Sequence, residues 1–120
     1  MAKASSHREL IVWQKAMDMV DAVYDVAERF PRKETYGMTS QLTRAAASVP
    51  GNIAEGSART TAKDYANFLA IAKGSLREAE TYVLLAIRRK YVTEEQARMA
   101  LGLAEEVSRM ITAIRAKLGA

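Results

Sequence analysis

The stretch SVPGNIAEGSAR, residues 48–59, decides how this chain is read. A proline and two glycines interrupt a run that is otherwise helical in period. Gly51, four residues, then Gly56 and Ser57 also half-resemble a phosphate-binding loop. Three structures compete for the segment: a nucleotide site, a loop and a bent helix. Helical phase separates them. Gln41, Arg44, Ser48, Asn52 and Glu55 fall on one stripe at steps of three and four residues. Leu42, Ala45, Val49, Ile53 and Gly56 form a second stripe that keeps its phase across Pro50. A loop has no reason to preserve either register. The segment therefore predicts one long helix kinked at Pro50, whose nitrogen cannot donate to the carbonyl of Ala46. The alternative is two short helices, the second capped by Ser48. A phosphate loop needs a lysine after its second glycine and a strand before the first, and this chain offers neither. The glycines read instead as points where a neighbouring helix comes close, with Gly74 in AKGSL doing the same further on.

Three more helices emerge on either side. Ser6 and Glu9 have the spacing of a capping box. From there Leu10, Trp13, Met17, Val20, Tyr24 and Ala27 recur at helical steps, beside a second row of Val12, Ala16, Met19, Val23, Val26 and Phe30. Pro31 ends that helix. Its opposite face carries Asp18, Asp21, Asp25 and Glu28. TYGMTSQ, residues 35–41, reads as a turn. A third helix opens at Thr61 with Asp64, carries Tyr65, Phe68, Leu69, Ala72, Leu76, Ala79, Val83 and Ile87 as its apolar stripe, and ends in RRKY. A fourth opens at Thr93 with Gln96, again a capping-box pattern, and runs to Leu118. No segment alternates with period two, so strands are not expected. The expectation is an all-α fold: a single domain over residues 1–120, an antiparallel up-down-up-down four-helix bundle. Its helices span about 7–30, 38–58, 61–90 and 93–118.

Composition agrees. Hydrophobic residues make up 49% of the chain but aromatic ones only 7%, so small aliphatic side chains must fill the core, as suits helix-on-helix packing. The absence of cysteine excludes disulfides and thiolate-held metals. MAKASSHREL has no apolar core of a signal peptide, and no apolar run approaches the roughly 18 residues of a membrane span. A cytoplasmic protein with no membrane partner is expected. The net charge of +4 permits an anionic partner without requiring one.

Catalysis finds little material. A di-iron bundle needs Glu-x-x-His pairs from two helices, and a serine triad needs an oriented histidine. The one histidine, His7, lies beside the N-terminus and reads as a solvated end residue. Asp21 with Asp25 and Glu105 with Glu106 are paired carboxylates at exposed-looking positions. The expectation is a protein that is not an enzyme, with no cofactor and no metal.

Two other features remain. In an up-and-down bundle one pole collects Arg29, Arg32, Lys33, Arg88, Arg89 and Lys90, and the other Lys3, Arg8, Arg59, Lys63, Arg115 and Lys117. Arg32, Lys33, Arg88, Arg89 and Lys90 are the candidates for binding RNA or DNA through its backbone. The plainer reading is that cations at helix C-termini offset the macrodipole, and Glu28, Glu34, Glu94 and Glu95 dilute the first pole. The second feature is apolar and polar surface in excess of one core. Trp13, with Met17 and Met19, widens helix one beyond what a bundle needs, unless all three fit inside the monomer. The stripe Gln41, Arg44, Ser48, Asn52 and Glu55 mixes short polar groups in the way of a hydrogen-bond network at a partly buried contact. Both are candidates for self-association. The competing function is an oligomeric scaffold that binds a protein partner without nucleic-acid activity.

The same residues carry a resemblance. FPRKETYGMTSQLTRAAASVPGNIAEGSAR (30–59), FLAIAKGSLREAET (68–81) and the opening LIVWQKAM (10–17) resemble the four-helix bundle family of proteins encoded by intervening sequences of bacterial 23S ribosomal RNA genes. The matching positions include Glu34, Gly37, Gln41, Arg44, Ser48, Pro50, Asn52, Glu55, Gly56, Gly74, Ser75 and Glu78. Met38 stands where leucine is usual and Gly51 where a small polar residue is common. The resemblance implies a bacterial cytosolic protein with no established catalytic activity that forms ring-shaped homopentamers. A related branch comprises accessory proteins of diversity-generating retroelements, which bind nucleic acid and a reverse transcriptase. A ring would repeat each basic pole around its axis and make a multivalent anion-binding surface.

Overall fold

The computed structural model describes residues 6–120. Among them it holds four α-helices and no strand: α1 Ile11–Ala27, α2 Met38–Ser57, α3 Ala62–Arg88 and α4 Glu94–Lys117. The molecule measures 47 × 25 × 23 Å. A 27-residue α3 accounts for about 40 Å of the long dimension, so the helices lie along it. Neighbours run in opposite directions. Lys73 Nζ donates to Thr112 Oγ1 at 2.7 Å and Arg115 Nε to the Ala66 carbonyl at 3.2 Å, so α3 descends as α4 rises. Lys15 pairs with Glu106 at 3.4 Å and closes α1 onto α4.

The core is aliphatic. Met19, Leu42, Ile53, Leu69 and Ile111 are its largest fully buried side chains. Each such side chain contributes about 1.5–3 kcal/mol relative to an exposed one, which makes tertiary burial the main source of helix stability.

Helix starts follow local chemistry. Thr61 Oγ1 accepts from the Asp64 amide at 3.1 Å. Thr93 and Gln96 form the full reciprocal box, with 3.1 Å and 3.0 Å bonds. The N-terminal box does not form as expected. The Ser6 hydroxyl accepts from Arg8 N–H at 3.2 Å and caps a 3₁₀ turn, His7–Glu9. Leu10 is extended, with φ −75° and ψ 124°, because its side chain turns in to pack against the core. α1 therefore starts only at Ile11. It also ends at Ala27, and the turn that follows brings Phe30 inward to 8% exposure. A second 3₁₀ turn, Arg32–Glu34, follows Pro31.

α2 is continuous through Pro50, which is buried inside it. There is no second start at Ser48, whose hydroxyl donates to the Ala45 carbonyl at 3.0 Å. Of the glycines expected at close approaches, Gly56 fits. A β-carbon there would lie 2.7 Å from Phe68 Cβ and 3.0 Å from Tyr65 Cδ1. Gly51 and Gly74 do not fit, since a β-carbon at either would meet nothing within 4 Å. Their places on the helix turn them outward. The surplus on α1 is also smaller than expected. Met19 is fully buried, Trp13 is half-buried, and Met17 is 41% exposed.

Candidate nucleic-acid interface

The pole at the C-terminal ends of α1 and α3 is built by two short connections. The first runs from Glu28 through the 32–34 turn to Met38. The second runs from Arg89 to Thr93. Burial of Phe30 and Val92 anchors them from beneath. The Phe30 and Tyr91 rings meet at 5.7 Å, tilted by 51°. Above that contact, the Tyr91 hydroxyl donates to Glu34 Oε2 at 2.7 Å. The other carboxylate oxygen, Oε1, accepts the Met38 N–H at 3.2 Å, satisfying one of the free donors at the start of α2. Glu34 thus ties three segments together across a sequence separation of 57 residues.

This carboxyl is held below its ordinary pKa of 4.5. The Tyr91 hydrogen bond is the largest cause and the Met38 amide the next; burial opposes them, and the charges of Lys33 and Arg89 add the smallest contributions in their favour. The Tyr91–Glu34 bond holds the 32–34 turn against the connection that follows Arg88, Arg89 and Lys90.

Arg29, Arg32, Lys33, Arg88, Arg89 and Lys90 are all exposed. Among the described residues none joins an ion pair, although Lys15, Arg59, Arg77 and Arg109 do. Lys90 adopts φ 63°, the left-handed conformation of a helix C-terminus, and Tyr91 N–H then reaches back to the Ala86 carbonyl at 2.9 Å. Directly after the first basic run, the turn 35–37 carries Tyr36 at 97% exposure. Neither the Glu34–Tyr91 bond nor the projection of Tyr36 has a periodic signature in the sequence.

At the opposite pole Arg8, Lys63 and Lys117 are likewise exposed with no ion pair among the described residues, but two other cations are engaged. Arg59 pairs with Glu55 at 3.1 Å and stacks over Phe68 at 4.6 Å, and Arg115 bonds the Ala66 carbonyl. Lys3 lies outside the described residues.

The α2 stripe does not form an internal network. Ser48 and Asn52 are half-buried, and each donates to a backbone carbonyl one turn back, Asn52 Nδ2 reaching Ser48 at 2.8 Å. Short polar side chains on a helix find that carbonyl before they find each other. Glu55 is taken by Arg59. Gln41 and Arg44 are exposed, with no side-chain partner among the described residues. His7 is not the free end residue expected. It is half-buried, with its ring edge-on to Trp13 at 5.0 Å. Among the described residues, no three His, Cys, Asp or Glu side chains gather as metal ligands. No helix there is long and apolar enough to cross a membrane.

Comparison with known proteins fits this architecture. Nothing among curated proteins matches the chain. A crystal structure of a protein of unknown function from the S23 ribosomal protein family of Bacteroides thetaiotaomicron VPI-5482 superposes with a TM-score of 0.80. It is 24% identical, and the match covers 88% of this chain and 98% of that one, which establishes the shared fold. The model of the 23S rRNA-intervening sequence protein family matches residues 8–113, from the first 3₁₀ turn almost to the end of α4. The chain belongs to that family.

Proposed function

We propose that this protein is a non-enzymatic, cytosolic homo-oligomer that binds RNA or DNA through the pole formed by residues 29–34 and 88–90. The observation that carries the reading is the set of six exposed cations there with no ion-pair partner among the described residues. One carboxylate of the pole, Glu34, already accepts from Tyr91 and Met38. Cations left free in this way displace the counterions condensed on nucleic-acid phosphates, so binding is backbone-directed and steeply salt-dependent.

Self-association, as a ring of five, belongs to the same reading. It is supported by surface that a monomer leaves idle: Met17 at 41%, Tyr24 at 48% and Met99 at 70% exposure, with Arg44 unpaired on α2. Asp18, Asp21 and Asp25 line a groove with Met99 and Leu103 and have no ion-pair partner among the described residues, so a neighbouring copy with free arginines complements it. A bend of α2 at Pro50 completes the proposed geometry, since the ring removes one donor from the helix.

Titrating a labelled structured RNA and a DNA duplex at low and physiological salt tests the pole. Arg88→Ala, Arg89→Ala and Lys90→Ala together should lower the slope of log K against log salt by about 2–3 if all three meet phosphates. An unchanged slope rejects the pole, and a wild-type protein that scatters light as a monomer rejects the ring. A scaffold reading rests on the apolar groove of Leu84, Ile87 and Leu101 between α3 and α4, with Leu84 at 47% exposure. It expects the triple variant to keep its protein partner and the wild type to ignore nucleic acid.

A further inference from the structure

We infer that Tyr36 is a stacking platform for an unpaired base, so that the basic pole takes single-stranded nucleic acid in preference to duplex. The inference rests on the pole reading above and specifies its ligand. Tyr36 stands out among the tyrosines. Tyr65, Tyr82 and Tyr91 are half-buried against the core, and Tyr24 is 48% exposed. Tyr36 is 97% exposed, so it contributes almost nothing to packing. A phenol ring in that position gives up the burial that ordinarily justifies an aromatic side chain.

The turn that carries the ring is tied down on both sides. Thr35 N–H and Oγ1 both donate to the Arg32 carbonyl, at 3.1 Å and 2.8 Å. Gly37 N–H donates to the Glu34 carbonyl at 3.0 Å. The Glu34 side chain is itself fixed by Tyr91 and Met38. The backbone around Tyr36 is therefore held while its side chain is left in solvent. A platform needs this combination, because a fixed base costs less ordering when the ring is already placed.

Its neighbours supply the other half of the chemistry. Lys33 lies three residues before it, next to Arg32, and neither is in an ion pair among the described residues. A cationic track beside an exposed aromatic ring is how single strands are held without sequence preference: phosphates follow the charges and a base lies on the ring. Duplex bases are already stacked and offer the ring no free face, so a duplex gains only from the charges.

The test measures binding of a labelled oligouridylate, which has no secondary structure, and of a blunt RNA duplex of the same length to wild type, Tyr36→Ala and Tyr36→Phe. Light scattering follows the particle mass throughout. Expected is a loss of about tenfold for Tyr36→Ala on the single strand, with an unchanged salt slope, little change on the duplex, and near-wild-type binding by Tyr36→Phe. If Tyr36→Ala binds the single strand as wild type does, or weakens the duplex equally, the stacking role is overturned while the pole reading stands. A change of particle mass in Tyr36→Ala assigns the ring to a subunit contact and also overturns it. If wild type binds neither probe at low salt, the pole reading itself fails and the platform with it.

Discussion

Gly56→Ala tests the packing of α2 on α3 at its tightest point. The added β-carbon would sit 2.7 Å from Phe68 Cβ, 3.0 Å from Tyr65 Cδ1 and 3.3 Å from the Tyr65 carbonyl oxygen. The first and last of these belong to or adjoin the α3 backbone, so a rotamer change does not relieve them. The two helices must move apart, and overpacking of this kind costs about 1–3 kcal/mol. Alanine recovers part of that through helix propensity, about 1 kcal/mol in mid-helix and less here, one residue from the end of α2. A net loss of about 1–2 kcal/mol is expected. Gly74→Ala provides the contrast, because a β-carbon there meets nothing within 4 Å and the position is interior to α3. It should gain up to ~1 kcal/mol. At about 3–5 °C per kcal/mol for a domain of this size, the two variants should melt roughly 10 °C apart. The assay is helical ellipticity against temperature and urea, at one protein concentration because assembly also stabilises. A Gly56→Ala variant that melts at or above wild type would refute the packing argument.

Two further outcomes follow from the pole. Because the folded Glu34 carboxyl titrates below 4.5, its stabilisation is complete above that pH and is lost as pH falls through the folded value. Glu34→Gln and Tyr91→Phe should each flatten the acid limb of stability, and acid titrations that overlay wild type would show that the bond carries no weight. Lys90→Gly should stabilise the fold by about 0.5–1 kcal/mol, because left-handed backbone costs a non-glycine residue about 1–2 kcal/mol and glycine returns part of that through a freer unfolded chain. Urea midpoints decide it, and destabilisation would contradict the strain.

Most of the helical framework was legible because it depends on local chemistry. The Thr93–Gln96 box, the Thr61 cap and the phase of Leu42, Val49 and Ile53 across Pro50 each involve residues within a turn or two of one another. The start of α1 was misread for a reason the pattern could not contain. Ser6 and Glu9 have the right spacing, but the Ser6 hydroxyl takes the Arg8 amide and caps a 3₁₀ turn, and extended Leu10, half-buried against the core, separates that turn from α1. Glycines were legible as a class and not individually. Gly56 meets a neighbouring helix and Gly74 meets solvent, and only the orientation of α3 distinguishes them. The polar stripe had the right residue types, but its order on the helix let Ser48 and Asn52 bond their own backbone. At the pole, the basic residues could be read from the helix ends. The Glu34–Tyr91 bond could not, since nothing periodic links two positions 57 residues apart.

Cations at a helix end have two explanations, and Lys90 is where they diverge. Arg88 is the last residue of α3 and Arg89 its cap, so both lie where the negative end of the helix favours positive charge. Neutralising a macrodipole would be sufficient reason for those two. Lys90 comes after them, in the left-handed conformation where helices most often place glycine. The dipole effect fades beyond the last turn, and the backbone there disfavours any β-carbon. Folding alone therefore favours glycine at this position. A lysine that holds an exposed positive charge at a cost to stability points to a benefit outside the fold. Strain of this kind concentrates at sites used for binding. Loss of anion binding in Lys90→Gly, together with its gain in stability, would place that benefit at the pole.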